Sequence, residues 1–210
     1  MALFDATQFL QAHAAEIVTA VRIHAALSGS ALAIAALLGV PLGVWSAHDR
    51  AAAGIVVSFA NAGRVVPSLA VLTLVLPILG LGFAPALVAL VLLALPPLVI
   101  NTYIGFRDVA PSVTEAARAM GMGLGAIVAR IESPLALPVV IAGVRTAAVE
   151  VIASATLATF IGGGGLGDLI NNGLQLDDAQ MLVTGAILVA LMALGAELVL
   201  GGMARLVRVA

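Results

Sequence analysis

Cysteine is absent from this chain of 210 residues, which excludes disulfide bonds, thiolate metal sites and cysteine nucleophiles. Charge is scarce as well, because charged residues make up only 10% of the sequence, whereas soluble domains carry about a quarter. A net charge of −2 without any basic run gives no footprint for nucleic acid. Apolar residues make up 62% of the chain instead, a composition typical of a protein embedded in a lipid bilayer.

Five long apolar runs follow one another along the sequence, and about 20 apolar residues suffice to cross a bilayer. We therefore predict an all-α integral membrane protein with five transmembrane helices in a single domain, residues 1–210. The runs are His24–Ala47, Gly54–Leu79, Phe83–Ile104, Leu135–Ile161 and Met181–Met203. Arg64 and Pro67 interrupt the second run, so a sixth span stays open if this run splits into two short helices.

Arginine is distributed unevenly between the ends of these runs, and arginine near span ends is retained on the cytoplasmic side. An external N-terminus and a cytoplasmic C-terminus place six arginines inside: Arg50, Arg107, Arg118, Arg130, Arg205 and Arg208. The loop between the fourth and fifth runs carries Asp168, Asp177 and Asp178 and no basic residue, so it is expected outside. The loop at about 107–133 is then cytoplasmic.

This cytoplasmic loop has the features of a short exposed helix. Ser112 and Glu115 have the spacing of a capping box, which predicts a helix start. The following residues are small: Ala116, Ala117 and Ala119. Because they carry little side chain, a partner's surface can approach the helix backbone closely.

The second half of the loop is expected to turn back towards the membrane. Gly121 and Gly123 are predicted to end the first helix in a sharp turn, since glycine tolerates positive φ. An amphipathic piece, residues 124–131, follows, and Pro134 is expected to end it at the membrane. We interpret the loop as a docking element for a cytoplasmic partner. The alternative is a connector lying on the membrane, although such helices favour Lys, Arg and bulky apolar residues.

The residues Glu115-Ala-Ala, followed by Gly121, Ile131 and Pro134, resemble the EAA motif of binding-protein-dependent ABC import permeases. Ser133 departs from the family pattern, which usually has Leu before this proline. The resemblance implies the fold of a type I ABC importer permease, in which this loop forms a coupling helix seated in a groove of the ATPase subunit. It makes four residues ATPase-coupling candidates: Glu115, Ala116, Ala117 and Gly121.

Further runs resemble the osmoprotectant branch of these permeases, which imports glycine betaine, choline, carnitine or proline-related quaternary amines. They are Val66–Leu69, Asn101–Tyr103, Glu115–Met122, Pro134–Pro138, Gly143–Thr146 and Phe160–Leu169. A permease for another small polar solute, such as an amino acid, is the alternative. With one Trp and one Tyr, the chain is poorly equipped to build an aromatic cage for a quaternary amine. The resemblance therefore assigns selectivity to an external binding protein.

The resemblance also implies a division of labour between subunits. The chain would be a transport subunit without a catalytic site or cofactor, while ATP and Mg²⁺ bind to a cytoplasmic ABC ATPase dimer. A second permease subunit, identical or paralogous, and an extracytoplasmic substrate-binding protein would complete the assembly in the bacterial inner membrane. Ion-coupled transport would predict internal repeats and broken helices, and a membrane enzyme would need convergent acid, base or metal groups; neither pattern is evident.

Four ionisable residues fall within the apolar runs, where charge marks either a transport pathway or a pairing between helices. They are Arg64, Arg145, Glu150 and Glu197. One interpretation lines the pathway with Glu150, which would favour a cationic substrate. The other, which we favour, pairs Arg145 with Glu150 or Glu197. We assign Arg64 no role.

A glycine-rich segment stands at the outer end of the fourth run. Residues 162–167 satisfy the G-x-G-x-x-G pattern, but a transmembrane helix precedes them instead of a strand, and no Lys follows for a P-loop. We interpret Gly164, Gly165 and Gly167 as an outer turn and expect Asp168 to cap a short helix beginning near Leu169. The resemblance places this turn where a permease meets its binding protein; an inert turn is the alternative.

Other glycines are expected to bring helices into close contact, as small residues do in lipid. They are Gly29, Gly39, Gly43, Gly143, Gly185 and Gly195. The three histidines, His13, His24 and His48, lack the spacing of metal ligands, so no metal site is expected.

Overall fold

The computed structural model describes residues 11–209, with side chains for residues 11–205, so the side chain of Arg208 lies outside the described part. Every regular element in this part is helical. We number the α-helices in chain order: α1 Ala14–His48, α2 Arg50–Gly63, α3 Ser68–Leu79, α4 Phe83–Arg107, α5 Pro111–Ala119, α6 Leu124–Ile127, α7 Ser133–Ser154, α8 Leu166–Gln175 and α9 Ala179–Val209. A single turn of π-helix, Val128–Glu132, joins α6 to α7 and is called the wide turn below. A 3-10 helix, Ala155–Ile161, follows α7 and is called the tight helix.

Four helical stretches are long and apolar enough to cross a membrane: α1, α4, residues 124–161 and residues 179–205. The fifth predicted span is the pair α2 and α3, whose axes are bent by 100°. Pro67 lies at this bend, lacks the amide proton needed to continue the helix, and disfavours helical backbone at Val66. The two halves have 14 and 12 residues, too few to cross alone when about 20 are needed. The break therefore gives no sixth span.

Two of the helices extend beyond the predicted spans. α1 begins at Ala14, ahead of the span predicted from His24. The helix of the fourth span begins ahead of Leu135, because α6, the wide turn and α7 form one continuous helical stretch from Leu124. Pro134 does not end a helix here, since it lies in the first turn of α7, where a missing amide proton costs little.

α4 is the central helix, with α1 and α7 packed on either side of it. Its fully buried side chains include Leu90 and Leu98. Glycines set the distance to its neighbours: a Cβ on Gly43 of α1 would lie 2.5 Å from Thr102 Cβ, and one on Gly143 of α7 would lie 2.6 Å from Asn101 Cβ. Such contacts let helix backbones approach closely, which is how helices associate in lipid.

The other glycines predicted to pack closely divide into two groups. A Cβ on Gly39 would lie 3.0 Å from Leu98 Cβ, and one on Gly185 would lie 2.8 Å from a side-chain carbon of Ile170. Gly29 and Gly195 have no such neighbour within 4 Å. The packing role predicted for these two residues is therefore wrong, because both lie on outer faces of their helices.

The bundle has two different ends. The C-termini of α1 and α4 and the loop containing α5 and α6 lie at one end. The start of α4, the tight helix and α8 lie at the other, where the Gly82 amide donates a 2.7 Å hydrogen bond to the Ile161 carbonyl. The predicted docking loop and the predicted outer turn are therefore at opposite ends.

Candidate coupling and pathway sites

α5 begins differently from the prediction. Pro111 is its first residue, Ala110 is the N-cap, and no side chain caps the helix. The predicted capping box of Ser112 and Glu115 is therefore wrong. Proline is favoured at the first helical position, since its φ is already helical and its missing amide proton is not needed there.

Most residues of α5 are exposed to solvent. Only Ala117 is buried among its residues, while Glu115 and Ala116 are exposed. The helix ends at Ala119, and Gly121 follows with φ +84°, which glycine adopts without strain. A Cβ on Gly121 would meet nothing within 4 Å. The helix and its turn are thus free to be covered by another protein.

The helical stretch from α6 to α7 widens for one turn at Val128–Glu132. The Ser133 amide donates to the Val128 carbonyl five residues earlier, and the Ser133 hydroxyl donates to the same oxygen at 2.8 Å. Ser133 therefore supplies two donors to this turn, which a leucine could not. The turn directs Glu132 inward, leaving that residue only 6% exposed.

Glu132 contacts His48 at the end of α1, a contact that the sequence analysis missed. His48 Nε2 lies 2.7 Å from Glu132 Oε2, and His48 Nδ1 lies 2.8 Å from the Val44 carbonyl oxygen. The Phe106 ring at the end of α4 meets the imidazole edge-on, with ring centroids 6.2 Å apart. Because 84 residues separate the pair, no local spacing signals it.

The charged residues within the spans form one ion pair and leave one carboxylate apart. Arg145 of α7 pairs with Glu197 of α9. Glu150, four residues before the end of α7, makes no hydrogen bond or ion pair with any described residue. It lines a cavity of about 670 Å³ together with Arg145 and Glu197. Because charge facing lipid is costly, this face must be turned towards protein or water.

The outer turn is built on glycine backbone conformations. Gly164 and Gly165 have φ of +74° and +100°. α8 begins at Leu166, with Gly165 as its N-cap and no side-chain cap. The predicted capping role of Asp168 is therefore wrong: its carboxylate accepts a hydrogen bond from the Thr159 hydroxyl and so joins α8 to the tight helix.

Two close contacts hold this turn against the bundle. A Cβ on Gly167 would lie 2.1 Å from the Thr156 carbonyl oxygen, and one on Gly165 would lie 3.2 Å from His24 Nδ1. His24 is fully buried and donates from Nε2 to the Ile152 carbonyl at 3.0 Å. Its role is thus to join α1 to α7 beneath the turn.

Residues 39–208 match the family described as "Binding-protein-dependent transport system inner membrane component". The chain belongs to this family. The permease is 39% identical over 193 residues to the choline transport system permease protein OpuBB of Bacillus subtilis, covering 92% of this chain and 89% of the relative. It is 41% identical to the carnitine transport permease protein OpuCB of Listeria monocytogenes, covering 85% and 82%.

Two further comparisons extend this assignment. The permease is 36% identical to the osmoprotectant import permease protein OsmW of Salmonella typhimurium, covering 81% of this chain and 82% of the relative. It superposes on a chain of the MetNI methionine ABC transporter in an inward-facing conformation, with a TM-score of 0.80, 20% identity, and coverage of 91% and 95%. The predicted type I importer fold is thereby confirmed.

Family membership confirms the expected division of labour. The permease is a multi-pass inner-membrane component of an ABC importer, it works with an ATPase and a binding protein, and ATP hydrolysis belongs to the ATPase. The ion-coupled and enzymatic alternatives are wrong, although the break between α2 and α3 is of the kind that ion-coupled transporters contain. Among the residues that the structure describes, no cluster of three possible metal ligands occurs.

Proposed function

We propose that the permease imports quaternary-amine osmoprotectants such as glycine betaine, choline or carnitine. The observation that carries this proposal is its similarity, over four-fifths or more of the chain, to permeases named for choline, carnitine or osmoprotectant transport. The low aromatic content supports leaving substrate capture to the external binding protein.

Two permease subunits, identical or paralogous, enclose the pathway in this proposal, with the N-terminus outside and the C-terminus in the cytoplasm. The charged face formed by Arg145, Glu150 and Glu197 supports a second subunit, because it needs a protein or water environment. The asymmetry of the arginines supports the orientation. The whole chain acts as one transmembrane domain, and its loop at about 107–133 faces the ATPase.

In this assembly α5 is the coupling helix, and Glu115, Ala116 and Gly121 form its contact with the ATPase, whereas Ala117 of the same motif is buried within the chain and cannot take part directly. Its exposure supports this role, as does the open space around Gly121. At the opposite end, the outer turn with Gly164, Gly165, Gly167 and Asp168 meets the substrate-binding protein. When the ATPase dimer closes, the coupling helices move and tip the bundle from inward-open to outward-open.

When the tagged permease is purified in mild detergent, an ABC ATPase and a second permease subunit are expected to co-purify with it. After reconstitution with its binding protein, the complex is expected to import radiolabelled glycine betaine, choline or carnitine in an ATP-dependent manner. Import of an amino acid, with no uptake of the three quaternary amines, would instead establish the other-solute alternative. The stoichiometry of the purified complex distinguishes a homodimeric from a heterodimeric permease.

Glu150→Gln is expected to reduce choline import roughly tenfold, the factor given by an interaction of about 1.4 kcal/mol, and to affect betaine import less. The reason is that choline carries net positive charge whereas betaine is a zwitterion, so a carboxylate on the pathway favours choline. Initial uptake rates at several concentrations measure the difference. Glu197→Gln is the matched control, since it breaks the pair with Arg145 and should affect both substrates alike. Equal losses for both substrates in Glu150→Gln would remove Glu150 from the pathway.

A further inference from the structure

We propose that His48 and Glu132 form the joint that transmits movement of the coupling loop to α1, and that this joint is strongest while the two side chains share a proton. The inference rests on the coupling role proposed for residues 107–133. It assigns positioning residues for transport that lie outside the surface covered by the ATPase.

The joint lies where three elements meet. His48 ends α1, the edge of its ring meets Phe106 near the end of α4, and Glu132 ends the wide turn that leads out of the coupling loop. Within residues 11–205, this is the single hydrogen bond between two side chains that joins the loop to a transmembrane helix. Displacement of the loop therefore acts on α1 through this contact and the apolar packing around it.

The hydrogen bonds determine where the protons are. A backbone carbonyl can only accept, so His48 Nδ1 carries a proton that it donates to Val44 at 2.8 Å. The contact of 2.7 Å between Nε2 and Glu132 Oε2 then needs a second proton. A neutral ring keeps only one N–H, so it can make only one of these two hydrogen bonds, and the attraction between an imidazolium and a carboxylate is lost. The joint is thus strongest when this proton is present and weaker when it is lost.

The wide turn makes the contact possible. Successive residues of an ordinary α-helix are rotated by about 100° around the helix axis. One extra residue in the wide turn therefore rotates the preceding residues around that axis by about the same angle. Such single wide turns occur frequently at functional sites. Here the extra residue brings Glu132 beneath α1, where only 8% of its side chain is exposed, against 26% for His48.

Other charged groups lie on the elements that meet at the joint and must be considered in a pH experiment. They are Asp49 and Arg50 after α1, Tyr103, Arg107 and Asp108 at the end of α4, and Arg130 in the wide turn. Asp49 is occupied by capping α2 through the Ala51 and Ala52 amides. None of these groups is hydrogen-bonded to His48 or Glu132 in the described part of the chain.

The first test measures substrate imported per ATP hydrolysed by the reconstituted wild-type complex between about pH 5 and pH 8, the range in which histidine side chains change charge. This ratio is expected to fall roughly fivefold towards alkaline pH and to recover on return to acidic pH. His48→Lys is expected to keep a high ratio throughout, because Lys stays protonated until about pH 10. A wild-type ratio with the same pH profile as His48→Lys would overturn the shared-proton joint.

The second test is a double-mutant cycle with His48→Ala and Glu132→Ala. Each single variant is expected to lose roughly tenfold in transport per ATP, and the double variant no more than either, because both remove one joint. Arg22→Gln, which removes an exposed charge from the first half of α1, serves as the matched control and should leave the ratio unchanged. Effects that multiply in the double variant would contradict the proposal.

A third measurement separates this inference from the proposed coupling role. ATPase co-purification and basal ATP hydrolysis should be normal in the joint variants, whereas a change on α5 should alter them. If Glu132→Ala does not assemble, Glu132→Gln replaces it, since it keeps the shape and removes the charge. Normal coupling in an assembled Glu132→Gln complex at every pH would overturn the joint while leaving the coupling role of α5 intact.

Discussion

Glu115→Lys combined with Gly121→Trp is expected to leave the permease in the membrane and to uncouple ATP hydrolysis from uptake. Glu115 is exposed, and Gly121 is surrounded by open space, so neither change disturbs the bundle itself. Both alter the surface that the ATPase would cover, one by reversed charge and the other by bulk. Misplaced charge in an interface costs several kcal/mol, so uptake should fall roughly a hundredfold or more.

The measurement compares uptake and ATP hydrolysis in reconstituted complexes of equal permease content. Gly29→Trp is the control for added bulk, because it makes the same replacement at an exposed position on α1 with no neighbour within 4 Å of the added Cβ. The control should import at close to the wild-type rate. Normal uptake by correctly inserted Glu115→Lys/Gly121→Trp protein would end the docking interpretation of α5.

Gly167→Ala is expected to destabilise the permease by about 3 kcal/mol or more, at the upper end of overpacking effects. The added Cβ would lie 2.1 Å from the Thr156 carbonyl oxygen. This oxygen belongs to the backbone of the tight helix, so no side-chain rotation can relieve the clash. α8 must therefore move away from the tight helix, which also breaks the hydrogen bond between Thr159 and Asp168.

Thermal unfolding of the detergent-purified protein measures this effect, and uptake reports whether the outer turn still functions. Gly195→Ala provides the control, since its Cβ would meet no neighbour within 4 Å. In a helix interior this control should gain about 0.5–1 kcal/mol, because alanine loses less backbone entropy than glycine. Similar unfolding temperatures for Gly167→Ala and the wild type would show that the two helices are not in fixed contact.

The spans were predictable because they depend on properties that are local in sequence. Length, hydropathy and the helix-breaking Pro67 located the four unbroken candidate spans and the break between α2 and α3, since the bilayer imposes the same requirement on every segment. Helix ends were less predictable. Ser112 had the right residue type for a cap, but the helix begins at Pro111, two residues earlier than a cap at Ser112 would give.

Contacts between distant residues were beyond the reach of the sequence. Arg145 had two candidate partners, and the geometry that selected Glu197 depends on how α7 and α9 cross. Glu132 reaches His48 because a wide turn changes the direction of its side chain, and no residue type predicts that turn. Sequence patterns therefore located the candidate loop and the outer turn but not the contact that connects the loop to α1.

The glycine contacts around α4 restrict how the bundle can deform. With Gly43 against Thr102 and Gly143 against Asn101, α1 and α7 cannot slide along α4 without steric overlap, because packed interiors resist such displacement. These three helices consequently behave as one rigid lever. A displacement at the end that carries α5 and α6 is therefore passed along these three helices towards the outer turn.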